Sequence, residues 1–255
     1  MNNKTSFGKN PQMKENKYSL DFFDVVENRR SVRIFDQTEP FDHGVVRKCL
    51  ETATLAPNSS NLQLWEFYQI PETSPLKDRL AKLCMGQKAA TTSRNLVVVV
   101  ARRDKWKSRI AANYNHIQAV YEDAPSKKQK QALAYYGKLI PKLYATYPLW
   151  SIGKQVFAWF VGLKKPMVRE VSETDVRISV HKSVALAAMT FMYAMTAEGY
   201  DTCPMEGLDS KRVKKLLDLP DAAEISMIIG CGKRLPEGVY GERFRVPNKD
   251  VIFER

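Results

Sequence analysis

Residues 174–207 read TDVRISVHKSVALAAMTFMYAMTAEGYDTCPMEG, and this stretch decides the fold. From Thr174 to Glu198 it carries the longest helical pattern in the chain. Its centre, SVALAAMTFMYAM, is apolar almost all round. Such a helix must be buried on most faces, at the middle of a domain or against a second subunit. Gly199 is a natural C-cap. Pro204 and Gly207 then mark a loop, and Asp209 caps a short amphipathic helix, SKRVKKLLDL.

The elements on either side are shorter. AEISMIIGCG and NLVVVVA are continuous apolar runs, the pattern of strands covered on both faces. LWEFYQI reads as a further strand and SVRIFD as an extended segment. Ser19 caps LDFFDVVENRR, with Leu20, Phe22, Phe23, Val25 and Val26 as an apolar stripe. DHGVVRKCLETATL forms a second helix with Val45, Val46, Cys49, Leu50, Ala53 and Leu55 inward, stopped by Pro57. PLKDRLAKLCMGQKAA is helical again, and VIFE near the end is strand-like. Helix dominates and strands do not alternate strictly with helices. The expectation is an α+β sandwich around a small sheet.

Composition narrows the class. The chain has 255 residues, 44% hydrophobic and 27% charged, which excludes a mostly disordered or collagenous chain. No run reaches the roughly 18 consecutive apolar residues of a membrane span. The start, MNNKTSFGKNPQMKENKY, lacks an apolar signal core, so a cytoplasmic location is expected and residues 1–18 read as a flexible arm. Cys49, Cys84, Cys203 and Cys231 are too far apart for a C-x-x-C site, and the three histidines are scattered, so no metal site is expected. The net charge is +12, and residues 101–170 hold fourteen basic against four acidic residues. That segment is also rich in aromatics. Its apolar stretch LWSIGKQVFAWFVGL suits a lid or a partner contact better than a membrane contact, although it fits a membrane interface. No nucleic-acid motif accompanies the charge, so no nucleic acid is expected as a partner.

Three clusters are candidates for chemistry, and taken singly each also reads as ordinary structure: a basic helix end, a turn rich in caps and a loop with a cap. Arg29, Arg30, Ser31 and Arg33 place guanidiniums and a hydroxyl within five residues, a set that fits a phosphate. Ala56-Pro57-Asn58-Ser59-Ser60-Asn61 crowds small polar groups into one loop. Pro204-Met205-Glu206-Gly207 lets the backbone approach a flat ring. In this order, followed by a strand ending IIGCGKR, the set resembles the nitroreductase family of FMN-dependent flavoproteins over roughly residues 20–104 and 174–236.

The resemblance implies a dimeric three-layer α/β/α sandwich with a small mixed sheet, one FMN-binding domain over residues 19–237. A basic aromatic helical insertion would occupy about 105–170, and a tail over 238–255 would wrap the partner. It implies that Arg29, Arg30, Ser31 and Arg33, with Lys233 and Arg234, hold the FMN phosphate and ribityl chain. Pro57, Asn58, Ser59 and Asn61 would reach the flavin from the other subunit, with Asn58 where a Ser is usual. Gln87 would meet the pyrimidine edge of the ring. Pro204, Glu206 and Gly207 would lie along the isoalloxazine, with the backbone of Glu206 and Gly207 near N5. NADH or NADPH would give hydride through N5 to a nitroaromatic, quinone, flavin or similar acceptor in a ping-pong scheme, with no side-chain acid or base required. A dehalogenase-like or flavin-fragmenting enzyme of the same fold stays as an alternative, and a basic membrane- or nucleic-acid-binding protein as a third reading.

Overall fold

The computed structural model describes residues 22–120, 126–145 and 147–255. The expected arm over residues 1–18 and the Ser19 cap lie outside them. The helices are α1 (Phe22–Asn28), α2 (His43–Ala53), α3 (Lys77–Leu83), α4 (Lys88–Thr91), α5 (Trp106–Ala119), α6 (Lys127–Ala134), α7 (Ile140–Tyr144), α8 (Pro148–Val161), α9 (Glu173–Ala197) and α10 (Ser210–Leu216). The strands are β1 (Phe35–Asp36), β2 (Trp65–Pro71), β3 (Asn95–Ala101), β4 (Asp201–Met205) and β5 (Glu224–Arg234).

β5 is the hub of the sheet. It pairs antiparallel with β3, with β4 and, through its last two residues, with β1; β2 adds antiparallel to β3. All pairings between these strands are antiparallel, where the resemblance implied a mixed sheet, and one isolated parallel bridge joins Ser31 to Thr202. The NLVVVVA run explains the layering. Side chains alternate across a strand, so Val97, Val99 and Ala101 enter a core shared with α2 and α9. Leu96, Val98 and Val100 enter a second core shared with α3, α4 and α10. Both faces are covered, giving the expected three layers.

α9 starts at a capping box in which the Ser172 hydroxyl accepts from Asp175 N and the Asp175 carboxylate accepts from Ser172 N. It ends where Gly199 takes φ +78°, a conformation that costs glycine nothing. The helix is long and apolar enough to cross a membrane, but Val184, Ala187, Ala188, Phe191 and Met195 are packed in the first core. Ile178 and Leu186 remain exposed on it.

Several expectations shift. α2 ends at Ala53, so Leu55 falls beyond it and is 82% exposed rather than inward. Phe22 and Phe23 of α1 are also exposed, Phe22 meeting Tyr193 of α9 edge-on at 5.9 Å. The 75–90 helix breaks into α3 and α4 at Met85 and Gly86, which take φ +57° and +62°. VIFE is not a strand; a single 3-10 turn at Asn248–Asp250 precedes it. Among the described residues of 105–170, α5, α6, α7 and α8 are helical, and α5 and α7 feed Ile110, Ile140 and Tyr144 into the first core.

Candidate active site

The Arg29–Arg33 segment leaves α1 and is stitched between two backbones. Val32 N donates to Thr202 O at 3.1 Å, and Arg33 N donates to Gly238 O at 2.6 Å. Val32 is thereby buried, while Arg29, Arg30, Ser31 and Arg33 line a cavity of about 280 Å³. The other wall is the chain after β5. It turns at Pro236–Gly238 so tightly that a Cβ on Gly238 would sit 2.3 Å from Ile34 O. It then brings Arg243 and Arg245 onto the cavity. Arg243 Nη2 donates to Glu27 O and Arg29 O, both at 2.7 Å, and Arg30 Nη2 donates to Gly241 O at 2.9 Å.

Five guanidiniums therefore face one small space. Among the described residues none of Arg29, Arg30, Arg33, Arg243 and Arg245 forms an ion pair. Glu242 is the one carboxylate on the cavity lining. Burial pushes Arg29 below its ordinary pKa, and repulsion from Arg243, Arg245 and Arg30 adds to this against an opposing contribution from Tyr193. Arginine stays charged even so. A cluster of mutually repelling, partly desolvated cations fits a phosphate dianion, which neutralises them and accepts their forked donors.

Lys233 and Arg234 do not line this cavity. Arg234 donates from its backbone N and from Nε to the Asp201 carboxylate, both at 2.8 Å, and from Nη2 to Asn28 O at 2.9 Å. Asp201 is buried, so Arg234 is a clamp joining β4 to the end of α1. Lys233 Nζ lies 3.8 Å from Glu39. Arg243 and Arg245 line this cavity, and Lys233 and Arg234 do not. The R-F-R spacing in GERFR was the available signal, but a tail ten residues beyond a strand does not reveal where it folds back.

The strand β4 leads from this cavity to the Pro204–Gly207 loop. Thr202 to Glu206 is four strand steps, about 13 Å. The β4–β5 ladder stops at Met205 opposite Ile228, so Glu206 and Gly207 lie past it and are exposed. Gln87 Nε2 donates to Gly207 O and to Cys84 O, each at 3.0 Å, which holds the loop. A Cβ on Gly207 would make only ordinary contact, 3.5 Å from Gln87 Nε2. Glu206 also lines an open cavity of about 610 Å³ with Arg177, His181 and Lys182 of α9 and Ser226 of β5. There Glu224 pairs with Arg177 and, at 3.2 Å, with His181 Nε2. Burial pushes Glu224 up, but those two hydrogen bonds outweigh it and hold the carboxyl below its ordinary range. Sequence reasoning missed these α9 residues because they sit between buried positions of one helix.

Pro57, Asn58, Ser59 and Asn61 do not line the arginine cavity of their own chain. Their loop is strained and self-braced. Ser60, Asn61 and Gln63 take φ +54°, +49° and +49°. Asn58 Oδ1 accepts from Gln63 N at 2.8 Å, and Ser59 N donates to Ser183 Oγ at 3.1 Å. The insertion grips it from outside. Asn61 and Asn113 exchange hydrogen bonds at 2.9 and 3.0 Å, and Tyr136 OH donates to Ser60 O at 3.0 Å.

No thiol is poised for chemistry. All four cysteines are free and buried, and burial pushes Cys49 up to about 12 and Cys84 to about 11.

Known proteins agree with this architecture. The family model described as "Nitroreductase family" matches residues 26–233. Protein DrgA of Synechocystis sp. is 28% identical over 230 residues, covering 90% of this chain and 92% of that protein. MhqN of Bacillus subtilis, whose name assigns it by inference to the NAD(P)H nitroreductases, is 24% identical over 91% of this chain and 98% of its own length. A crystal structure from Exiguobacterium sibiricum, solved in complex with FMN, superposes with a TM-score of 0.63 at 23% identity, covering 94% of this chain and 99% of that one. A family match across most of the chain, on a fold these solved structures share, means that this chain belongs to the nitroreductase family.

Proposed function

We propose that the protein is an FMN-dependent NAD(P)H oxidoreductase, working as a homodimer in the cytoplasm on a small electron acceptor such as a nitroaromatic, a quinone or a free flavin. The observation that carries this reading is the guanidinium cluster without ion-pair partners at the head of β4. Arg29, Arg30, Ser31 and Arg33, with Arg243 and Arg245, would hold the phosphate. Pro204, Glu206 and Gly207, braced by Gln87, would lie along the ring, the free N–H groups after β4 serving as donors. Bound FMN supplies hydride transfer at N5, and the protein's part is to bind, orient and shield it. The open cavity beside Glu206 would admit NAD(P)H and the acceptor in turn, a ping-pong order.

The exposed Ile178 and Leu186 lie on one face of α9, two turns apart, and support a dimer built on that helix. Pro57, Asn58, Ser59 and Asn61 would then approach the flavin of the second subunit. Val251, Ile252 and Phe253 of the tail are exposed and would be covered there.

The test is an absorbance spectrum of purified protein followed by anaerobic NADH or NADPH addition. Flavin bands near one per chain that bleach with a nucleotide are expected. Flavin that binds but does not bleach would move the reading to the specialised enzymes of this fold. A colourless protein that FMN cannot reconstitute would end it.

A further inference from the structure

We propose that α8 is an interfacial helix that docks the protein onto an anionic lipid bilayer. Among the described residues, the side-chain hydrogen bonds that tie α8 to the preceding helix lie along one side of it. Lys154 Nζ donates to Leu143 O at 2.8 Å and Ala145 O at 3.3 Å, Trp150 Nε1 donates to Lys142 O at 2.9 Å, and Ala158 is buried. On the opposite side Ile152, Val156, Trp159 and Phe160 recur at i, i+4, i+7 and i+8, one helical face, and Leu163 follows in the turn just past the helix end. Ile152, Trp159, Phe160 and Leu163 are each 55–62% exposed. Arg169 caps the helix end, donating to Ala158 O at 3.2 Å and Gly162 O at 2.7 Å. The apolar face is therefore preformed, and binding pays little for ordering it.

Charge decides the occupant. Residues 124–169 contain nine basic residues and no acidic one. Among the described residues none of those nine forms an ion pair. Lys164 and Lys165 stand exposed at the end of the apolar face. A two-fold contact of α8 with its copy would set this cationic segment against itself. Anionic headgroups neutralise it, while the aromatics enter the boundary beneath them. Fourteen residues of helix span about 21 Å, less than the roughly 30 Å of a hydrocarbon core, so α8 lies in the surface instead of crossing it. Trp150 and Phe157 line an apolar cavity of about 380 Å³ behind the helix, with Leu139, Leu143 and Met167, which offers room for the end of an acyl chain.

The experiment is flotation of the full chain with vesicles of mixed phosphatidylglycerol and phosphatidylcholine, against phosphatidylcholine alone. The protein floats with the anionic vesicles, and raised salt releases it. Trp159→Glu/Phe160→Glu weakens binding roughly tenfold or more. Lys164→Glu/Lys165→Glu, which leaves the apolar face intact, does the same. Circular dichroism and sizing of both variants match the parent. Failure of the parent to float with anionic vesicles overturns the proposal. So does equal binding of the lysine variant, or a change of oligomeric state in Trp159→Glu/Phe160→Glu, which would make this face a subunit contact. None of these readouts depends on the flavin.

Discussion

Arg234, Arg243 and Arg245 are the same residue type within twelve positions, and the fold gives them opposite tasks. Arg234 neutralises the buried Asp201, whereas Arg243 and Arg245 face other arginines across a cavity. Arg243→Ala or Arg245→Ala should weaken FMN retention about tenfold each, the worth of one charge-assisted hydrogen bond, while thermal melts of the flavin-free protein barely move. Arg234→Ala should do the reverse and cost about 3 kcal/mol of stability, because Asp201 is left buried without its partner. Flavin fluorescence titration and thermal melts of the same three variants separate the roles. The contiguous Arg29–Arg33 cluster was legible because neighbours in sequence stay neighbours in space. The partners it meets two hundred residues later were not. A second residue-level network sets acid tolerance. Hydrogen bonds from Arg102 hold Asp104 below its ordinary 3.8, and burial of Glu66 is outweighed by Lys105, Tyr68 and Arg102, which hold it below 4.5. Carboxyls lowered on folding stabilise the protein above their unfolded values, and that contribution fades as pH falls through the folded ones. Arg102→Met should therefore cost about 2 kcal/mol in urea unfolding near neutrality, and the gap from the parent should close as pH drops below about 4.

Among the elements, β3 and α9 were readable because their patterns leave no alternative. Seven consecutive buried residues in β3 need cover on both faces, and a helix apolar all round needs neighbours all round. Shorter elements depended on contacts their own residues do not encode. The 75–90 helix yields to a two-residue left-handed turn at Met85 and Gly86, and VIFE finds no strand to pair with. In α8 the apolar count is visible in the sequence and the side of attachment is not, so a lid, a partner contact and a membrane interface all fit its sequence. α9 allows two opposed tests. Ser172→Ala removes the N-terminal cap and should cost about 1 kcal/mol without touching the exposed face. Leu186→Glu leaves the fold's own core untouched but places a charge on the proposed subunit face, and should weaken self-association about a hundredfold, the effect of an unpaired charge at a buried contact. Sedimentation across a concentration series reads the second and denaturant melts the first. A Leu186→Glu protein that stays dimeric would move the subunit contact off α9.

At the scale of the whole molecule, the chain after β5 is what closes the candidate site. The sandwich is complete without it, since both cores draw on residues up to Ile229 and Cys231 and take only Val239 from beyond. The arginine cavity is not, since its outer wall from Val239 to Arg245 is this tail. The three-layer architecture could be read from patterning because burial is local in sequence. The site could not be read in full, because its two walls come from opposite ends of the chain and only tertiary folding joins them. A chain truncated after Val239 should keep its far-ultraviolet circular dichroism and melt within a few degrees of the flavin-free parent. It should also have lost its affinity for FMN. Ligand linkage makes the contrast measurable. A cofactor present at a hundred times its dissociation constant stabilises the native state by about 2.7 kcal/mol. The parent should then melt at least a few degrees higher with added FMN, and the truncated chain should show no such rise. An equal rise in both would mean that the Arg29–Arg33 wall binds the phosphate unaided and that the tail serves the neighbouring subunit instead.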